Sequence, residues 1–211
     1  MLRRHHYEHA FEDYLRAQRL PYVAVDEAKK AALPEGESFR ITHSTPGEPD
    51  RESSLKSFDV VLYDQPEGQS RVNLLVEVKG RKIARRKPRA VRASAAKPGA
   101  TGSTPGLLPD APDLSRASRL DSWVTLEDIE SLRVWEKLFG PAFRAAFAFV
   151  YWCEEQPPDG LFQTVFEHRG RWYAVRVINL DAYQRAMKVR SPRWRTVHVP
   201  PAAFDRLSRP L

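Results

Sequence analysis

The sequence predicts a three-layer α/β domain, a mixed central sheet flanked by helices, carrying a basic insertion and a C-terminal β-rich extension. Three observations support this. Segments follow one another as helix, strand, strand, strand, helix, strand. Two β-type runs flank a turn between Ser54 and Gly80, and Phe143 to Trp152 is nearly all apolar, as a strand buried on both faces should be. With 10 Phe, 7 Tyr and 5 Trp among 211 residues, the chain has the material for a substantial core.

From His5 to about Arg19, Tyr7, Ala10, Phe11, Tyr14 and Leu15 recur at helical spacing, and Pro21 ends the segment. Glu8 falls at the border of that apolar face and Glu12 lies one turn on, nearer solvent. Pro21 to Val25 reads as a short buried strand, and residues 34 to 54, rich in Pro, Gly, Ser and Glu, as an exposed loop. In the hairpin that follows, Phe58, Val60 and Leu62 are expected on one side, with Asp59, Val61 and Tyr63 on the other. Its turn is expected at Asp64 to Gly68. In the second run Val72, Leu74, Val76 and Val78 share a face, opposite Leu75, Glu77 and Lys79.

Pairing the two runs gathers Asp59, Glu77 and Lys79 on one face of the sheet. Charges among Leu, Val and Tyr must be paired or metal-bound. Two carboxylates suit a hard cation such as Mg²⁺ or Mn²⁺, which takes oxygen ligands, waters and substrate phosphate. Such a cation lowers the pKa of a bound water and neutralises charge on a phosphoryl oxygen, and Lys79 can assist the water or the phosphate. The bland alternative for the same letters is an exposed strand end with a Glu–Lys pair.

After Gly80 comes a stretch to about Asp121 rich in Pro, Gly, Ser and Ala, without periodicity, read as a disordered or functional insertion. Its first half carries Arg81, Lys82, Arg85, Arg86, Lys87, Arg89, Arg92 and Lys97 and no acid, which accounts for the net charge of +7. Thr125 can cap the next helix, with Asp128 at the capping-box position and Ile129, Leu132, Val134, Trp135, Leu138 and Phe139 as its apolar stripe; Gly140-Pro141 stops it. Leu161 to Glu167 and Arg171 to Ile178 form a second hairpin around His168-Arg169-Gly170. Asp181 is expected to cap a short helix through Lys188. Arg190, Arg193 and Arg195 surround Trp194 in a pattern that suits phosphate contact and base stacking, although Trp194 equally suits a strand residue covering the core. The resulting organisation is a core of residues 1–80 and 122–155, an insertion of 81–121, and an extension of 156–211.

Asp59 followed at a distance by Glu77-Val78-Lys79 resembles the motif of the PD-(D/E)XK nuclease superfamily, with Phe58 where the name-giving pattern has Pro. The resemblance implies a restriction-endonuclease-like core in which Asp59 and Glu77 bind a divalent metal and Lys79 assists phosphodiester hydrolysis. It also implies a role for Glu8, since several members carry an extra metal or water ligand on the preceding helix; Glu12 is second. The arrangement through residue 152 is similar to archaeal-type Holliday-junction resolvases. His6-Tyr7-Glu8-His9-Ala10-Phe11-Glu12 matches the signature of the HYExAFE family.

The expected activity is therefore metal-dependent cleavage of DNA, less readily RNA, with Arg81, Lys82, Arg85, Arg86, Arg190, Arg193 and Arg195 tracking the backbone. A nuclease-like module that only binds nucleic acid, and an interaction protein using its basic loop, are the competing classes. A homodimer is compatible with cutting two strands. The lone Cys153 has no activating base nearby and fits a reducing compartment. His5, His6 and His9 lack the spacing and partners of a zinc site. No apolar run reaches membrane-span length, so the expectation is a cytoplasmic protein without membrane partners.

Overall fold

The computed structural model describes residues 5–25, 40–43, 51–67, 70–83, 120–153 and 165–211. In chain order the elements are α1 (His5–Ala17), β1 (Tyr22–Ala24), β2 (Arg40–His43), β3 (Arg51–Ser54), β4 (Val60–Glu67), β5 (Ser70–Ile83), β6 (Val124–Thr125), α2 (Leu126–Phe139), β7 (Phe143–Cys153), β8 (Val165–His168), β9 (Arg171–Asn179), α3 (Leu180–Ala186), β10 (Lys188–Ser191), β11 (Thr196–His198) and α4 (Pro201–Leu207). The main sheet has six strands in the order β1-β4-β5-β7-β9-β8. Its β5–β7 pair is parallel, with α2 in the connection, and the other neighbours are antiparallel. No described helix is long and apolar enough to cross a membrane.

β7 shows why helices cover both faces. Its inner residues are buried, but the two sides differ in size: Ala146, Ala148 and Val150 point one way, Phe147, Phe149 and Tyr151 the other. Ala10, Phe11, Tyr14 and Leu15 of α1 pack on the small-residue side, where they meet Val60, Leu62, Leu74, Val76 and Val78. The aromatic side is covered by Ile129 and Leu132 of α2, Tyr183 of α3 and Phe204 of α4. Fully burying a side chain of this size contributes about 1.5–3 kcal/mol, so these two layers hold the fold.

The expected helices and core strands form, with differences that have physical causes; β1, expected to be buried, lies at the sheet edge with Val23 46% exposed. Phe58 does not share the Val60 face. The chain bends at Asp59, and Phe58 instead packs edge-on against Trp135 and Phe139 on the α2 side. The expected loop of 34–54 contains a β2–β3 hairpin, in which Ile41 and Thr42 are β-branched residues suited to a strand; residues 34–39 and 44–50 lie outside the described residues. The turn at Asp64 to Gly68 is displaced. Asp64 adopts a left-handed conformation (φ 58°) inside a register irregularity, and β4 continues to Glu67.

β5 runs to Ile83, beyond Gly80, because β7 pairs with it as far as Ile83↔Cys153. The rest of the expected insertion, residues 84–119, lies outside the described residues. In the C-terminal extension, β9 pairs with β7 and continues the main sheet. Asp181 does not cap α3. Asn179 is the N-cap residue, and Asp181 lies in the first turn, bonded to Arg133. Leu138 departs from the buried stripe and is 66% exposed.

Candidate active site

β4 and β5 stay paired only as far as Val60↔Val76. Beyond that point β5 loses its neighbour on the β4 side, and its next inward-facing amide needs an acceptor. Asp59 supplies it: its Oδ2 accepts from the Val78 N–H at 2.6 Å, while its backbone N–H donates to the Val76 carbonyl at 2.9 Å. The Asp59 carboxylate thus extends the ladder with a side chain and sits at the sheet edge where β4 ends.

That segment is held by α2. The Lys56 N–H donates to Ser131 Oγ at 3.1 Å, and Trp135 Nε1 donates to the Lys56 carbonyl at 2.7 Å. The Val25 N–H closes the other side by donating to the Asp59 carbonyl at 2.7 Å.

Glu77 and Lys79 alternate with Leu75 toward the α2 side, as the period-2 reading expects. Lys79 Nζ lies 2.8 Å from Glu77 Oε1 and 3.0 Å from Asp128 Oδ2, with both Glu77 and Lys79 less than one-fifth exposed. Asp128 is a participant that the sequence reading used only as a cap. Both bonds of its capping box with Thr125 form, from Thr125 N–H to Asp128 Oδ2 at 2.9 Å and from Asp128 N–H to Thr125 Oγ1 at 3.1 Å. The same carboxylate then receives two lysines, Lys79 and Lys56, the latter at 2.9 Å. Lys56 also reaches Thr125 Oγ1 at 3.2 Å and Glu127 at 3.4 Å. Sequence spacing gave no sign of this, since Lys56 and Asp128 are 72 positions apart.

The electrostatics divide these acids into two kinds. Burial works against the Asp128 charge, but Lys79, the Thr125 amide and Lys56 outweigh it and hold its pKa down at about 2. Asp59 goes the other way. Burial, then repulsion from Glu77 and Glu8, push it up to about 8 against the help of the Val78 amide and Lys79. Burial also raises Glu77 despite its bond to Lys79. Lys79, opposed by burial, is raised by Glu77 and Asp128 and stays protonated. A fixed anion and a fixed cation therefore stand beside two carboxylates that are costly to ionise together.

Glu8 lies on α1, on the opposite side of the sheet from Glu77, yet near enough to Asp59 to repel it. Its helix is seated by the residues around it. The Tyr7 ring lies directly on Gly80, where a Cβ would overlap it. His6 Nδ1 is 3.0 Å from the Tyr173 hydroxyl, and Ala10 and Phe11 are fully buried. Glu12 is turned away and paired with Arg16 at 2.8 Å, with the Tyr22 hydroxyl at 3.4 Å. Glu8, not Glu12, is the acid of this helix that the fold brings toward Asp59.

The expected backbone-tracking cations separate. Arg81 is a packing residue: its guanidinium donates to the Gly80 carbonyl at 2.8 Å and to the Trp123 carbonyl, and lies 4.2 Å over the Trp123 ring. Lys82 is exposed and stands 4.6 Å over Trp152. Arg190 covers the other ring contact of Trp123 at 5.0 Å, and Arg193 lies 5.2 Å over Trp194. Arg195 turns inward to Glu130 at 3.4 Å. Arg85 and Arg86 lie outside the described residues. Cys153 is buried, and burial pushes its thiol up to about 11, away from nucleophilic use.

Among the described residues, no three His, Cys, Asp or Glu side chains form a ready-made metal cage. The pair Asp59 and Glu77 nevertheless fits Mg²⁺ or Mn²⁺ by its chemistry: oxygen donors only, both half-buried, and with Glu77 repelling the Asp59 charge. No family model, curated protein or solved structure matches this chain.

Proposed function

We propose that the chain is a metal-dependent nuclease that hydrolyses phosphodiester bonds of DNA, or less readily RNA, on a restriction-endonuclease-like core of the HYExAFE type. The observation that carries this is the half-buried pair Asp59 and Glu77, the one bonded to the Val78 amide and the other to a lysine that Asp128 also holds, with repulsion between the two acids. Two acids raised by burial and mutual repulsion next to a fixed cation point to chemistry. The element order, with a parallel β5–β7 pair bridged by α2, agrees with the core that the motif implies.

Asp59 and Glu77, with Glu8 in support, would hold Mg²⁺ or Mn²⁺. The cation, when bound, supplies a water of lowered pKa and neutralises charge on the scissile phosphate. Lys79, charged and anchored by Asp128, stabilises the added negative charge at the phosphoryl oxygens or orients the water. Asp128 itself stays ionised and holds that amine in line. The Val78 amide leaves Asp59 with one oxygen uncommitted to the backbone.

The test is cleavage of linear, single-stranded, nicked and four-way-junction DNA with Mg²⁺ or Mn²⁺, beside EDTA. Asp59→Asn and Lys79→Ala are assayed in parallel after circular dichroism shows both folded. The expected result is cleavage that EDTA and either substitution abolish. Absence of cleavage on every substrate, together with no calorimetric binding of either metal, would overturn the proposal.

A further inference from the structure

Trp194 is not the core-covering strand residue its sequence context allows. It is 69% exposed, at the tip of the turn that joins β10 to β11. The exposed indole, flanked by cations, offers a ring face available for stacking.

The tip is rigidly built. The Arg195 N–H donates to the Pro192 carbonyl at 3.1 Å, and Arg195 takes the left-handed conformation (φ 47°) that a non-glycine residue adopts at a cost. The Arg193 guanidinium lies 5.2 Å from the Trp194 ring centre. Among residues 188–195 there are four cations and no acid.

Its position relates it to the candidate active site. The Leu126 N–H, at the start of α2, donates to the Arg195 carbonyl at 2.9 Å, and Thr196 pairs with Thr125. Thr125 is the residue that caps Asp128, and Asp128 holds Lys79. The turn that carries Trp194 is thus anchored to the N-terminal end of α2, the helix end whose Asp128 holds the proposed catalytic amine.

We infer that Trp194 at the β10–β11 tip is a stacking platform for an unpaired base of single-stranded nucleic acid entering the Asp59–Glu77 site. This rests on the nuclease reading for the site's chemistry and names its substrate class. Charge disfavours an apolar surface as the occupant, because Arg193 accompanies the ring and Lys188 and Arg190 lie on the strand leading to it; cations interleaved with an exposed indole face match a chain of alternating phosphates and bases. Stacking selects the unpaired base: inside a duplex both faces of each base are already covered by neighbours, whereas a single strand offers a free π-face.

The test measures binding in EDTA by the full chain to a short oligothymidylate, a blunt duplex of equal length and a duplex with splayed single-stranded arms. Wild type is expected to prefer the oligothymidylate and the splayed arms, with quenching of tryptophan fluorescence. Trp194→Ala is expected to lose roughly ten-fold in affinity for those two probes and little for the blunt duplex. Trp194→Phe should keep most of the affinity and lose the quenching. An equal loss on all three probes, wild-type affinity in Trp194→Ala, or no binding of any probe by wild type would each overturn the inference.

Cleavage is read separately with Mg²⁺. Trp194-dependent single-strand binding by a chain that cuts nothing and binds neither metal would uphold this inference and defeat the nuclease reading. Cutting with Trp194-independent binding would do the reverse.

Discussion

Two acid-and-base clusters flank α2, and their contrast separates structure from chemistry. Near its C-terminal half, Arg133 binds Glu136 at 2.6 Å and Asp181 of α3 at 2.6 Å, with Gln184 beside them. Asp181 is half exposed, and its bond to Arg133 lowers its pKa. Each acid there has a cation, and for Asp181 ionisation and folding favour one another. At the N-terminal end the same residue types behave differently: Asp59 and Glu77 are raised while Asp128 is lowered. A cluster that only ties helices together has no use for two acids that resist ionising, whereas a cation-binding site does. The position of the charges, not their number, makes the difference.

The largest expected effect comes from removing a group on the reacting side. Asp59→Asn should lower metal-dependent cleavage about a thousand-fold, while raising or preserving stability in EDTA at neutral pH, because the substituted amide need not ionise. A urea melt beside the cleavage assay reads both. Arg133→Ala, in the comparison cluster, should leave cleavage unchanged and cost about 1 kcal/mol or less, as partly exposed pairs do. Equal losses of activity in the two variants would erase the distinction.

Asp128→Asn should be costly in both respects. It removes one half of the capping box and the shared acceptor of Lys79 and Lys56, so a loss of about 3 kcal/mol is expected from breaking a buried pair. Cleavage should fall even where the variant is fully folded, since Lys79 then has only Glu77 to hold it. Thermal melts give the first quantity, and assays well below the melting temperature give the second.

The pH dependence carries a definite sign. The folded pKa of Asp59 lies above its ordinary 3.8, so its contribution to stability is fully present below about pH 4 and is lost as pH rises through about 8. Asp128 is opposite: its contribution is present above 3.8 and is lost as pH falls through about 2. Metal binding needs the ionised Asp59–Glu77 pair. Mg²⁺ should therefore raise the melting temperature more at pH 8 than at pH 5, and Asp59→Asn should flatten that difference.

An effect on stability alone is expected at the seat of α1. Gly80→Ala puts a methyl group into the Tyr7 ring, and overpacking of this kind costs about 1–3 kcal/mol. Tyr7→Ala added to it should recover part of the loss, because the two changes share one contact. A double-mutant cycle by denaturant melting checks this.

Much of this arrangement was readable from the chain. Period-2 alternation assigned Glu77 and Lys79 to one face, and the capping box and Gly140-Pro141 bounded α2. Alternation places Phe58 on the wrong face because it holds only within a strand, and Asp59 is a bend just before one. The C-terminal hairpin was legible as a hairpin, but which strand it pairs with depends on contacts between distant residues that no local pattern encodes. Asp128 was found as a cap and missed as the anchor of Lys79 for the same reason. Trp194 was ambiguous because a cation-flanked aromatic fits a covered strand and an exposed turn equally well; the left-handed Arg195 decides for the turn.

The central claim is that Asp59 and Glu77 are kept from ionising together until a divalent cation joins them. Following both side-chain carboxyl carbons by NMR through a pH titration, with and without Mg²⁺, tests it most directly. Without the cation Asp59 should titrate near 8 and Glu77 above its ordinary value, and Mg²⁺ should draw both down into or below the usual carboxylate range. Two carboxylates that titrate near 4 in the absence of metal, and do not respond to Mg²⁺, would contradict the account.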